Sequence, residues 1–267
     1  GNYLLCLRAA AQAVRQLQID TDVPARLDAL CGRIMLQRLY DRGRRLFYIS
    51  IAGDTGKPSA EHYDLLASES CLLSFAAICR GAVPEAHWWR LARPWAGGRP
   101  PLLLSWSGTM FEYLLPALLL PSWPDTLLAA ARKGCVSAQR RAGRGGVFGI
   151  SESGMNRFDA DLNYGYRAFG VPALALDPSS AGDVYAPYAA ALALSVSPDA
   201  ACQSLRRMQA LGAYGDHGFY EALDHTRGEW QIVRSHMAHH QGMLLCAICN
   251  ALCPDALSSL LLALPQV

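Results

Sequence analysis

Apolar residues recur at helical spacing along most of this chain, and that periodicity constrains the fold more than any other feature. Segments such as LLCLRAAAQAVRQL and LLAAARKGCVSAQRR carry one apolar stripe each, and Gly/Pro loops rich in aromatic residues join them. The pattern predicts helices over 3–18, 23–41, 59–80, 84–92, 107–119, 124–142, 181–196, 198–211, 228–252 and 254–263. Start signals mark several of them: Asp22 with Pro24, Pro58 with Ser59, Pro84, and Ser197 with Pro198. Strand signals are short and confined to RRLFYISI, PLLLSWS and VFGIS. The expected class is therefore all-α, with helices packed as successive hairpins in an array or toroid.

Hydrophobic residues make up 52% of the 267 positions and charged ones 17%, enough apolar surface for a large core. No compositional break divides the chain, so it reads as a helical lead-in over 1–45 followed by one domain over 46–267. A net charge of +2 gives no electrostatic case for nucleic acid, which needs clustered Lys and Arg facing phosphates. The longest apolar run, MFEYLLPALLLP, contains Glu112 and Pro116 and reads as a buried helix instead of a membrane span. The nine cysteines are scattered through apolar patterns, which points to reduced thiols and a cytoplasmic location. Phosphate-loop, dinucleotide and GxSxG signatures are all missing from the sequence.

Four glutamates differ from the other acids in having apolar or aromatic neighbours: Glu69 in YDLLASESC, Glu112 in SWSGTMFEYLLP, Glu152 in GISESGMN and Glu221 in HGFYEALDHT. Desolvation disfavours a carboxylate and prepares the group to donate a proton near neutral pH, while a better solvated partner stays ionised. Glycoside cleavage needs that division of labour. Each also has a plainer reading, as a helix cap, an arginine partner or a solvent-facing side chain, and a helix-dipole role suffices for Glu69 and Glu112. Glu152 lies in a Gly/Ser stretch with no predicted helix to serve. Trp106, Tyr164, Tyr166 and Tyr220 fall beside these acids, where rings could stack on sugar faces while Asn163 or Asp161 bonds hydroxyls. His236, His239 and His240 precede Cys246, Cys249 and Cys253, but the cysteine spacing is that of a buried helix face, so no metal and no cofactor is assigned.

Taken in order, YDLLASE, HWWRLARP, SWSGTMFEYLLP, GISES with NYGYRAFGVP, APYAAALAL, GFYEALDHT and MAHHQGM resemble the glycoamylase-like domain of bacterial cyclic β-1,2-glucan synthases. The likeness runs from about residue 45 to 252. It implies an (α/α)6 toroid, shared with endo-β-1,2-glucanases and incomplete here if the roughly ten predicted helices are all there are. It further implies cyclisation of linear β-1,2-glucan by transglycosylation with retention at the anomeric carbon, with endo-hydrolysis or a non-catalytic glucan-binding remnant as alternatives. Under that resemblance Glu152 is the nucleophile and Glu69 the acid/base, with the two roles exchangeable. Asp64, Trp106, Glu112, Asn163, Tyr164, Tyr166, Tyr220, Glu221, His239 and His240 would line the sugar subsites. The synthases are large membrane-associated proteins with glycosyltransferase and phosphorylase-like regions, so the chain is similar to one module of them, expected on the cytoplasmic face of the membrane.

Overall fold

A computed structural model describes residues 1–97 and 102–263; the PLLLSWS strand and the ARPWAGGRPP loop of the sequence reading run partly outside these residues. Helices form near most predicted places, but they are shorter. The predicted 59–80 helix is Cys71–Cys79, the 181–196 helix starts at Pro187, and the 228–252 helix is Ala238–Leu252. Among the residues released in this way, His62–Tyr63, Val184–Tyr185 and Gln231–Val233 become short strands. Among the described residues, twelve short strands pair into five small antiparallel sheets, so the all-α toroid is corrected to a mixed helix and strand architecture.

The cause is local. Pro187 fixes a helix start and leaves Val184–Tyr185 extended, where it pairs with Ala222–Asp224. Gly228, at φ +86°, turns the chain between Ala222–Asp224 and Gln231–Val233, so the helical pattern beginning at 228 is pre-empted by a hairpin.

The chain divides into two compact units, residues 1–93 with 255–267, and residues 94–254. In the first, helices Asn2–Gln16 and Val23–Gly32 pack around Leu4, Leu5 and Cys31. Strands Tyr40–Asp41, Leu46–Tyr48 and His62–Tyr63 form a sheet in which Phe47 pairs with both Tyr40 and Tyr63. Buried His87 ties this sheet to helix Cys71–Cys79. Its Nδ1 lies 2.9 Å from the Arg45 carbonyl, which must accept, so Nε2 is left to accept from the Ser74 hydroxyl at 2.9 Å.

The core of the second unit is the alanine-rich helix Pro187–Leu192, every residue of which is buried. Its small side chains admit helices Pro198–Ala210 and Ala238–Leu252 at close range. The apolar segment MFEYLLPALLLP folds as two short helices, Met110–Leu114 and Pro116–Leu119. Among the described residues no single helix is long and apolar enough to cross a membrane.

Candidate active site

The site is built on the hairpin of Glu152–Phe158 and Tyr164–Ala168 in the second unit. Two buried side chains fix the approach to Glu152. Gln139 donates to the Ile150 carbonyl and accepts from the Ile150 N–H, both at 2.8 Å. Ser151 Oγ accepts from the Phe111 N–H at 3.1 Å, which ties helix Met110–Leu114 to the start of the hairpin. Gly149 sits at φ +121°, and a Cβ there would meet the Ala186 carbonyl and the Ala190 nitrogen at 2.9 Å. Only glycine lets this turn rest on the Pro187–Leu192 helix.

Beyond Glu152 the strand has N–H groups with no strand on that side, and carboxylates take them. Gly154 N–H donates to Glu221 Oε1 at 3.0 Å and Asn156 N–H to Asp224 Oδ2 at 2.8 Å. Gly154 is needed here for closeness, since a Cβ would lie 3.2 Å from Glu221 Cγ and 3.1 Å from Val233 Cγ1.

Glu152 itself is half-buried. Burial first, and then the Glu112 carboxylate, push its pKa above the usual carboxylate range, while His240 and a hydrogen bond from Tyr166 pull the other way. Tyr166 Oη lies 3.4 Å from Glu152 Oε2 and 3.5 Å from His240 Nε2. His240 is buried, with Nδ1 at 2.8 and 3.0 Å from the two oxygens of Glu221, itself only 1% exposed. Glu221 therefore does not reach solvent; it holds the imidazole. Tyr188 stacks on that imidazole at 3.9 Å with an interplanar angle of 14°, and its hydroxyl donates to the Glu152 carbonyl at 2.9 Å.

Glu112 is the third carboxylate of the group. It completes a capping box with Thr109, accepting from the Thr109 N–H at 2.8 Å and returning its own N–H to Thr109 Oγ1. The Ser105 hydroxyl at 2.9 Å, the Thr109 hydroxyl at 3.0 Å and the Ser107 N–H at 3.1 Å also donate to its carboxylate. The cap that sequence reasoning expects is thus present, and the same charge acts on Glu152.

The remaining expected residues separate into groups. Trp106 is 48% exposed on the Ser105–Ser107 segment beside Glu112. Tyr164 and Tyr220 meet at Arg234, whose N–H donates to Tyr164 Oη at 3.3 Å and whose guanidinium lies 5.2 Å from the Tyr220 ring centroid. Asn163 is committed to the hairpin turn, where its N–H and side chain both bond Asp159. His239 is largely exposed beside His240, and partial desolvation of its ring together with that neighbour lowers its pKa. Asp64 and Glu69 belong to the first unit: the Asp64 carbonyl accepts from the Ala92 N–H, and Glu69 occupies the turn before Cys71–Cys79, taking a bond from the Ser68 hydroxyl at 3.1 Å.

Two features depart from sequence reasoning. The buried face of Ala238–Leu252 is His240, Met243, Leu244 and Ala247, so Cys249 and Cys253 are exposed and Cys246 lies at the margin. Tyr188 and Ser151 are missed altogether; the one available signal is a lone aromatic ring in the alanine run APYAAALAL.

The Glycoamylase family profile matches residues 61–262. The chain belongs to the Glycoamylase family. A member-like stretch occurs in the cyclic beta-(1,2)-glucan synthase NdvB of Rhizobium meliloti, 38% identical over 222 residues, which is 79% of this chain but only 8% of that protein. The endo-beta-1,2-glucanase of Chitinophaga pinensis, solved with sophorotriose and glucose, superposes with a TM-score of 0.70 at 15% identity, covering 98% of this chain and 67% of that one. The endo-beta-1,2-glucanase of Talaromyces funiculosus, solved with sophorose, gives 0.72 at 13% identity over 96% of this chain and 57% of that one. At such identities these structures establish a shared fold.

Proposed function

We propose that this chain is a carbohydrate-active domain that breaks and remakes β-1,2-glucosidic bonds, with Glu152 as the nucleophile. The observation that carries this reading is the 38% identity over 222 residues to a cyclic β-1,2-glucan synthase. Glu152 suits the role: its side chain is half-buried, with one phenol positioned to donate to it and a backbone pinned at residues 150 and 151. Attack by its carboxylate would form a glycosyl ester with inversion, and a second displacement would restore the anomeric configuration. A sugar hydroxyl as second nucleophile gives transglycosylation, including ring closure, and water gives hydrolysis. Glu69 is the group proposed to protonate the leaving oxygen.

Incubation with linear β-1,2-glucan followed by mass spectrometry of the products tests the reading. Cyclic products mark transglycosylation, and shorter linear chains mark hydrolysis. Glu152→Gln removes measurable turnover, and Glu69→Gln lowers it on the order of a hundredfold or more. Full turnover by Glu152→Gln refutes the nucleophile, and glucan binding without any product would leave the domain a non-catalytic glucan binder.

A further inference from the structure

A carboxylate that acts as a nucleophile must be ionised, yet the surroundings of Glu152 favour its neutral form. Three titratable groups face it from packed elements: Glu112 from helix Met110–Leu114, Tyr166 from the paired strand and His240 from helix Ala238–Leu252. Tyr188, from helix Pro187–Leu192, bonds the Glu152 main-chain carbonyl instead of its side chain. Tyr166 Oη stands between Glu152 Oε2 at 3.4 Å and His240 Nε2 at 3.5 Å, and His240 Nδ1 in turn contacts both oxygens of Glu221. The four side chains form one continuous hydrogen-bonded line.

We propose that Glu152 and His240 share a single proton through the Tyr166 hydroxyl, with Glu221 as the buried countercharge that lets His240 hold it. In one state Glu152 carries the proton and donates to Tyr166 Oη, while the Tyr166 proton is donated to a neutral Nε2 and Nδ1–H donates to Glu221. In the other, Glu152 has passed its proton to Tyr166 Oη as the Tyr166 proton moves onto Nε2. Glu152 is then a carboxylate and His240 an imidazolium. Atoms and charge balance, and no co-reactant is required.

The geometry favours this role for His240 over its neighbours. Glu221 is fully buried, and a buried carboxylate needs a cationic or strongly donating partner. Its third bond comes from the Gly154 N–H, so the acceptor is held to the same strand that carries Glu152. The stacked Tyr188 ring fixes the imidazole plane and keeps Nε2 aimed at Tyr166. His239, 4.0 Å away between ring centroids, is turned to solvent and makes no comparable contact with Glu221. Glu221 and His240 are thus positioning residues that act on Glu152 through Tyr166.

The inference rests on Glu152 as nucleophile only for its purpose, and it is read without substrate. The 15N-imidazole resonances of His240, assigned against His240→Gln, are followed with pH in the wild type, Glu152→Gln and Tyr166→Phe. A shared proton gives His240 an inflection that coincides with ionisation of Glu152 and vanishes in both variants. The acidic limb of kcat/KM on linear β-1,2-glucan moves to higher pH in Tyr166→Phe and Glu221→Gln, with a loss of roughly tenfold on that limb and a smaller change on the plateau. Tyr166 is 46% exposed, so its variant carries the test if Glu221→Gln does not fold. A His240 titration and an acidic limb unchanged in Tyr166→Phe overturn the relay. Inactivity of the wild type on this glucan would overturn the functional reading while leaving the His240 inflection to stand or fall alone.

Discussion

Replacing Glu112 with glutamine separates the two things that its carboxylate does, because stability and site electrostatics should move in opposite senses. Oε2 accepts three bonds, from the Thr109 N–H, the Thr109 hydroxyl and the Ser105 hydroxyl, and Oε1 accepts one from the Ser107 N–H. The best amide orientation keeps oxygen at the Oε2 position, and the NH2 then confronts the Ser107 N–H, two donors with no acceptor between them. Losing that charge-assisted bond costs about 1.5–3 kcal/mol, and the bonds that remain weaken because their acceptor is neutral. A total of about 2–3 kcal/mol corresponds to a fall in Tm of about 5–10 °C for a chain of this size, measured by differential scanning calorimetry. The same change removes a negative charge that holds the Glu152 pKa up. The carboxylate form of Glu152 becomes easier to reach, so the acidic limb of kcat/KM shifts to lower pH. An unchanged Tm would refute the account of Glu112 as a fully engaged cap. A limb that moves to higher pH would refute the electrostatic link between the two glutamates.

Gly170→Ala should be the most damaging small substitution, since its Cβ would stand 1.6 Å from the Ser107 carbonyl oxygen, a backbone atom that has no way to swing aside. A loss above about 3 kcal/mol is expected, visible as aggregation or a collapsed urea midpoint, and near-wild-type stability would contradict the packing described. Asp183 gathers Tyr185 Oη, Arg144 and His225; burial alone would raise its pKa, but these bonds together hold it below the ordinary value. A depressed folded pKa contributes stability that is present above the unfolded value and lost as pH falls through the folded one. Asp183→Asn is therefore less stable than wild type at pH 7, with the gap closing as pH drops below about 4. A gap that persists at pH 2 would assign the effect to packing instead of charge.

The helices were legible because each needs only a stripe, and a stripe is visible in one segment alone. Leu4, Leu5, Ala9 and Ala11 are buried along helix Asn2–Gln16, and His240, Met243, Leu244 and Ala247 along helix Ala238–Leu252, both at helical spacing. The strands were not, because most have two or three residues and their partners come from distant parts of the sequence. Val184–Tyr185 is extended only because Ala222–Asp224 lies beside it, and nothing in DVYAPY announces that neighbour. The same distinction runs through the site. Glu112, Glu152 and Glu221 could be singled out from local neighbours, with Tyr166 beside them and His240 in a run of histidines. What each one does follows from long-range pairing: Glu221 becomes a buried holder of an imidazole only when residues 154, 221 and 240 converge, and the Glu112 charge bears on Glu152 because its helix is tied to the hairpin by the bond from Phe111 to Ser151. A lone acid in an apolar stretch has several possible roles in sequence, and its hydrogen-bond donors choose among them. Here Glu112 and Glu221 each have their carboxylate oxygens taken by buried donors, whereas Glu152 has a single shared phenol. That difference in saturation, more than any difference in sequence context, is what favours Glu152 over the other two as the nucleophile of the proposed reaction.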